Sequence, residues 1–242
     1  MKFQDIIYTK ENRVARISIN RPEKYNACTP VTLHELVKAF IDAWTDDSVG
    51  VVVFTGEGDK AFCTGGDQSI RELGGYKGYS AKELEGSIAA LPLEVAWQFV
   101  TFLIRHIPKP VIARVNGYAI GGGHVWQVNC DLSIASDKAK FGQAGPRVGS
   151  FDPGFGTGDL WRNVGMKRAK EIWYLCRIYT AEEAYQMGLK YAFLAESDGL
   201  GGVTELGVGG LSLYYGTEES AEGKNAFIEK RKPDFWKHFR KV

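Results

Sequence analysis

Metal-binding residues are scarce in this chain of 242 residues: it has four cysteines and four histidines. Cys28, Cys63, Cys130 and Cys176 stand far apart and form no C-x-x-C pair, which argues against a zinc knuckle and against a disulfide scaffold. His34, His106, His124 and His238 have no partner at ligand spacing, so no metal site is predicted. Apolar runs long enough to span a membrane are also missing. The N-terminus, MKFQDIIYTKENRVARISIN, has no charged-then-apolar signal layout. A soluble protein of a reducing cytoplasm is the expectation. Neither charge is in excess: Lys+Arg 30 against Asp+Glu 29 leaves a net +1. Such a chain has no global pull towards nucleic acid or a membrane surface, so an anionic ligand must be held by local basic clusters.

Glycine, by contrast, is plentiful. The 29 glycines cluster at 65–66, 74–75, 121–123, 142–158 and 199–210. The first four clusters follow strands or open helices, where backbone must approach something closely. Residues 5–9 and 14–20 read as strands, and VARISIN alternates as a half-buried strand should. From Thr29 to Trp44 the residues Leu33, Leu36, Val37, Phe40, Ile41 and Trp44 share one helical face. GVVVFTG (50–56), PVIARV (110–115) and CDLSIAS (130–136) are further strands, with helical segments between them. The alternation predicts an α/β fold of repeated β-β-α turns.

Two glycine blocks carry chemistry. AFCTGGDQ (61–68) and NGYAIGGGHVWQ (116–127) each follow a strand, and the second opens a helix. Bare backbone N–H groups converging from two such loops form an oxyanion hole, which stabilises a carbonyl oxygen as it gains charge. Read singly, each block is equally a tight turn with no ligand.

Taken together, NRPEKYNA, AFCTGGD and NGYAIGGG resemble the signature blocks of the enoyl-CoA hydratase (crotonase) superfamily, over about residues 3–190 and again over 211–235. The resemblance implies a spiral of β-β-α turns with a short C-terminal helical segment. It implies a core of residues 1–190 and a segment of residues 191–242 for oligomer contact and active-site closure, assembled as trimers or hexamers. It assigns the thioester oxygen to the N–H groups of Gly66 and Gly122. The ligand implied is a CoA thioester, with no tightly bound cofactor. Lys24, Lys60, Asp67 and Lys230 fall at positions suited to CoA or substrate binding, although each lysine read singly is a solvated charge.

The departures narrow the reaction. Hydratases of this superfamily carry two water-activating glutamates, at positions occupied here by Val125 and Gly145. Without paired carboxylates there is no obvious way to add water across a double bond. The block FGQAGPRVGSFDPGFGTG (141–158) instead resembles two subfamilies, 2-ketocyclohexanecarboxyl-CoA hydrolases, which open a ring, and 1,4-dihydroxy-2-naphthoyl-CoA synthases of menaquinone biosynthesis, which close one. Both place a serine and an aspartate two residues apart, here Ser150 and Asp152, and add a C-terminal tyrosine, here Tyr215. Alone, these three read as a turn hydroxyl, a helix N-cap and packing beside Tyr214.

SFDPGFGT, LYYGTEES and EKRKPDF favour the hydrolase, an enzyme of aromatic degradation. GGGH and IRELGGY (70–76), with Arg71 and Tyr76, favour the synthase. Some synthases with glycine at position 145 bind bicarbonate near a glutamine, which is Gln143 here. His124 alone reads as a capping or packing histidine. DGLGGVTELG follows GLKYAFLAES directly, where both subfamilies place two helices. The chain is thus expected to be shortened there or to lack residues, and a non-catalytic acyl-CoA-binding homologue is the third reading.

Overall fold

β-branched runs set the frame of the fold. In the computed structural model, residues 2–69, 93–148, 155–189, 221–222, 225–226 and 229–234 are described. The chain divides into two units, Met1–Phe193 and Leu194–Val242. In the first, β1 (Ile6–Glu11) and β2 (Val14–Ile19) form a hairpin. Its two turn residues, Asn12 and Arg13, both take positive φ, as a tight two-residue turn between twisted strands requires.

The elements that follow are α1 (Pro30–Thr45), β3 (Val51–Gly56), β4 (Ala61–Cys63), α2 (Leu93–His106), β5 (Val111–Val115), β6 (Tyr118–Ile120), α3 (Gly122–Asn129), β7 (Leu132–Ala135) and β8 (Lys140–Gly142). A 3-10 turn at Gly145–Val148 leads on to α4 (Phe155–Val164), α5 (Met166–Leu175), β9 (Ile178–Thr180) and α6 (Ala181–Met187).

The strands sort into two sheets. One runs β1-β2-β3-β5-β7, parallel from β2 onward; the other runs β4-β6-β8-β9, parallel through β8. Each turn of the chain therefore gives one longer strand to the first sheet and one short strand to the second. The pairs are β3 with β4, β5 with β6 and β7 with β8. The predicted α/β spiral is the observed architecture.

The expected helix from Thr29 begins one residue later. Thr29 is its N-cap: Thr29 Oγ1 accepts the Thr32 N–H, and Asp5 Oδ2 accepts both threonine hydroxyls, at 2.8 and 2.6 Å. Its buried face includes Leu33, Leu36, Val37 and Phe40, packed against the first sheet.

Among the described residues of the second unit, Arg231 pairs with Glu222 and Glu229, and Ala226 is buried.

Phe54 of β3 lies at the centre of the core. Its ring centroid is 5.5 Å from that of Phe40, 5.1 Å from Phe62 and 5.6 Å from Trp126, so it joins α1, β4 and α3. Phe54→Ala should cost about 3–5 kcal/mol of stability. Urea denaturation should show a lower midpoint with an unchanged slope.

Candidate functional site

The short strands β4, β6 and β8 are neighbours and run parallel, so their C-terminal ends lie in a row. Thr64–Gly66 follows the first, Gly121–Gly122 the second and Gln143–Gly145 the third. Three sequence-distant blocks thus arrive at one edge, the place where open parallel sheets commonly bind ligands.

The first two loops touch. A Cβ built on Gly65 would lie 3.3 Å from the Gly122 nitrogen. Gly65 has φ +89°, and Gly121 has φ +58° with ψ −123°, conformations that L side chains avoid.

The direction of each N–H follows from the carbonyl in the same peptide. A trans peptide is planar, and its C=O and N–H point opposite ways. Gly65 O accepts the Cys28 N–H at 2.8 Å, which turns the Gly66 N–H away from residue 28. Gly121 O accepts the Val125 N–H at 3.0 Å as the first hydrogen bond of α3, which turns the Gly122 N–H outward from the helix start. Among the described residues neither N–H has an acceptor. Both N–H groups are therefore fixed in direction by the hydrogen bond on the carbonyl of their own peptide.

Beneath the first loop lies a buried polar frame. The Asn26 side chain donates to Ala61 O at 2.6 Å and to Glu57 O at 3.0 Å, tying the NRPEKYNA block to β4. Cys28 O accepts the Asp67 N–H at 2.9 Å. Arg21 Nη2 donates to Asp67 Oδ2 at 3.1 Å, and Ser69 Oγ to Asp67 Oδ1 at 2.7 Å. Burial works to raise the Asp67 pKa, but the Ser69 and Arg21 contacts outweigh it and hold the carboxyl below its usual range. Asp67 is thus engaged by the protein itself, on the inner side of the loop.

Cys28 and Cys63, which the sequence reading kept apart, have their sulfurs 3.7 Å from each other in the core. Burial and that contact push the Cys28 thiol up. Both remain thiols. Their nearness spans 35 residues of sequence, and no local pattern announces it.

On the other side of Gly122 stands an aromatic stack. Trp97 of α2 lies on Trp126 of α3, with centroids 4.2 Å apart and ring planes 28° apart. A Cβ on Gly122 would come within 2.6 Å of the Trp97 ring. The sequence reading missed Trp97 because α2 carries no motif.

Behind the second loop, Gln143 and His124 are both buried, and Gln143 Nε2 is 2.9 Å from His124 Nδ1. His124 Nε2 has no hydrogen-bond partner among the described residues. Val125 is buried on α3, and Gly145 opens the 3-10 turn after β8. The two expected carboxylate positions are therefore apolar and empty of side chain, respectively.

Lys24 and Lys60 are exposed; Lys60 Nζ lies 5.9 Å from the centroid of the Tyr25 ring, next in chain to Lys24. Lys230 is exposed in the second unit. Ser150, Asp152, Tyr215, Arg71 and Tyr76 lie outside the described residues, as does the expected shortening after residue 190. Among the described residues no group of three or more metal-ligating side chains comes together, and no helix is long and apolar enough to cross a membrane.

Comparison with known proteins gives this geometry a context. Residues 9–208 match the family described as enoyl-CoA hydratase/isomerase. An enoyl-CoA hydratase/carnithine racemase from Magnetospirillum magneticum is 26% identical over 97% of this chain and 96% of its own, with a TM-score of 0.80. An enoyl-CoA hydratase from Bacillus anthracis is 28% identical over 96% of this chain and 98% of its own, with a TM-score of 0.77.

Burial lowers the His124 pKa from 6.5 to about 4. As pH falls below 6.5 the unfolded chain takes up this proton before the folded chain does. Stability therefore declines between about pH 6.5 and 4, by up to ~1.4 kcal/mol per unit, and levels once the folded ring is protonated too. His124→Asn removes this titration, and its melting temperature should fall less than that of the parent protein over the same interval.

Proposed function

We propose, for a chain that belongs to the enoyl-CoA hydratase/isomerase family, that the reaction is hydrolytic ring opening of a cyclic β-keto acyl-CoA of the 2-ketocyclohexanecarboxyl type. The observation that carries this reading is the pairing of the Gly66 and Gly122 donors with two positions, 125 and 145, that hold no carboxylate. The donors suit a thioester enolate. Valine and glycine cannot activate water for addition to a double bond.

In the proposed mechanism the thioester oxygen accepts from the Gly66 and Gly122 N–H groups. Asp152 takes a proton from water, whose oxygen adds to the ring ketone carbon. The bond from that carbon to the α-carbon then breaks. Its electron pair passes into the thioester as an enolate, and the ketone carbon becomes a carboxylic acid. A proton returns to the α-carbon, leaving an open-chain dicarboxylic mono-CoA thioester. Ser150 and Tyr215 donate hydrogen bonds to the ketone and enolate oxygens. Lys24, Lys60 and Lys230 meet the CoA phosphates, as point charges suited to them. Self-association to a trimer or hexamer and a cytoplasmic setting belong to this proposal.

GGGH and IRELGGY favour a second reading, intramolecular Claisen closure by a 1,4-dihydroxy-2-naphthoyl-CoA synthase, in which the same oxygen cradle serves the reverse bond change and bicarbonate supplies the missing base. Mass spectrometry after incubation with 2-ketocyclohexanecarboxyl-CoA and with succinylbenzoyl-CoA separates the two. Gain of water on the first substrate supports the hydrolase, and loss of water from the second supports the synthase. Binding without either change supports a non-catalytic acyl-CoA-binding protein.

Two further outcomes are expected. Crotonyl-CoA should not be hydrated at ordinary enzyme rates; such activity would show that another acid–base pair operates. Asp152→Asn should lower turnover about a hundredfold to ten-thousandfold with little change in CoA-ester affinity or melting temperature. Turnover near that of the parent protein would make Asp152 a turn residue only.

A further inference from the structure

Residues 142 and 143, at the end of β8, hold residue 121 by both of its backbone groups. Gly142 O accepts the Gly121 N–H at 3.0 Å, and Gln143 Nε2 lies 3.5 Å from Gly121 O. The same Gln143 nitrogen is 2.9 Å from His124 Nδ1. One buried carboxamide thus spans residues 121 and 124, across the first turn of α3, and between them lies the Gly122 N–H, which has no acceptor among the described residues. With the NH2 end of the carboxamide facing both groups, it donates, Nδ1 accepts, and the matching tautomer carries its proton on Nε2.

We propose that Gln143 is a positioning residue: by gripping Gly121 O and the His124 ring it sets the aim of the Gly122 N–H. This rests on the oxyanion reading above and gives Gln143 a part that involves no contact with substrate or bicarbonate. The Gly121–Gly122 peptide needs such a hold. Gly121 has no side chain to resist rotation, and its φ of +58° lies outside the helical well. The helix supplies one hydrogen bond to its carbonyl, from Val125, and Gln143 supplies the second. Loss of the second frees the peptide to tilt, which moves the N–H off the oxygen it must meet. His124 acts as the rest for the carboxamide. Its neutral ring offers Nδ1 as acceptor, and its burial among core residues fixes the distance.

Three measurements test this. Nitrogen NMR on 15N-histidine-labelled protein should find the His124 ring neutral with its proton on Nε2. A proton on Nδ1 would overturn the proposal without any variant. Gln143→Glu, close in shape, can accept from the ring but cannot donate to Gly121 O, and it should move the proton to Nδ1. Gln143→Leu should lower turnover about tenfold to a hundredfold while CoA-ester affinity stays within about threefold.

The direct readout of aim is the absorption of bound cinnamoyl-CoA, a conjugated thioester whose band moves to the red when its carbonyl is hydrogen-bonded. The parent protein should produce this shift, and both variants should reduce it. A shift that is full in the parent and unchanged in both variants removes the assignment to Gln143 and leaves the oxyanion reading standing. No shift in the parent removes the oxyanion reading, and this assignment with it.

Discussion

The planarity of two peptide bonds governs this site. Gly65–Gly66 and Gly121–Gly122 each present an N–H with no acceptor among the described residues, and neither aim is set by a side chain of its own residue. Each is set through the carbonyl at the other end of the same rigid plane. Cys28 N–H holds the first carbonyl and Val125 N–H the second. A donor with no acceptor costs free energy only when it is buried away from water; Gly66 and Gly122 are each only partly buried. The fold brings the two planes together because the strands that precede them are hydrogen-bonded neighbours.

That arrangement depends on polar groups placed where apolar ones would otherwise sit. Asn26, Asp67, Gln143 and His124 are all buried. Each is engaged by groups from distant parts of the chain, as burial of polar atoms requires. Arg21 draws Asp5 and Asp67 towards one guanidinium, so the N-cap of α1 and the Gly66 loop share a single charged contact. A buried ion trio of this kind adds little net stability, but removing Arg21 leaves two carboxylates without their shared cation. Local precision, more than stability, is what such a frame supplies.

The sequence made the first sheet legible and the second almost invisible. VARISI and VVVFTG are long and β-branched enough for their period to show. AFC, YAI and KFG are three residues each, too short for any periodicity, and they are strands only because partners 22 to 57 positions away complete them. The glycine blocks were readable because positive φ and close approach leave few alternatives to glycine. The contacts that orient them were not. Gln143 with His124, Arg21 with Asp67 and Cys28 with Cys63 are 19, 46 and 35 residues apart. A hydrogen bond across such a gap leaves no trace in local pattern. Trp97 escaped notice for a related reason: on a helix it is one more apolar residue, and only its stacking on Trp126 beside Gly122 distinguishes it.

Both donors are main-chain atoms, and this divides the site into two layers with different freedoms. No side-chain substitution can delete a backbone N–H other than one to proline, so the presence of these two donors is indifferent to which side chains stand around them. Positions 125, 145, 150 and 152 are different, since in the proposed reaction whatever occupies them decides which bond moves next. On that proposal, one reaction could be exchanged for another at those four positions while the backbone donors stay in place. Similarity of fold to proteins named as hydratases therefore reaches as far as the backbone frame, and the choice of reaction is left to a few side chains.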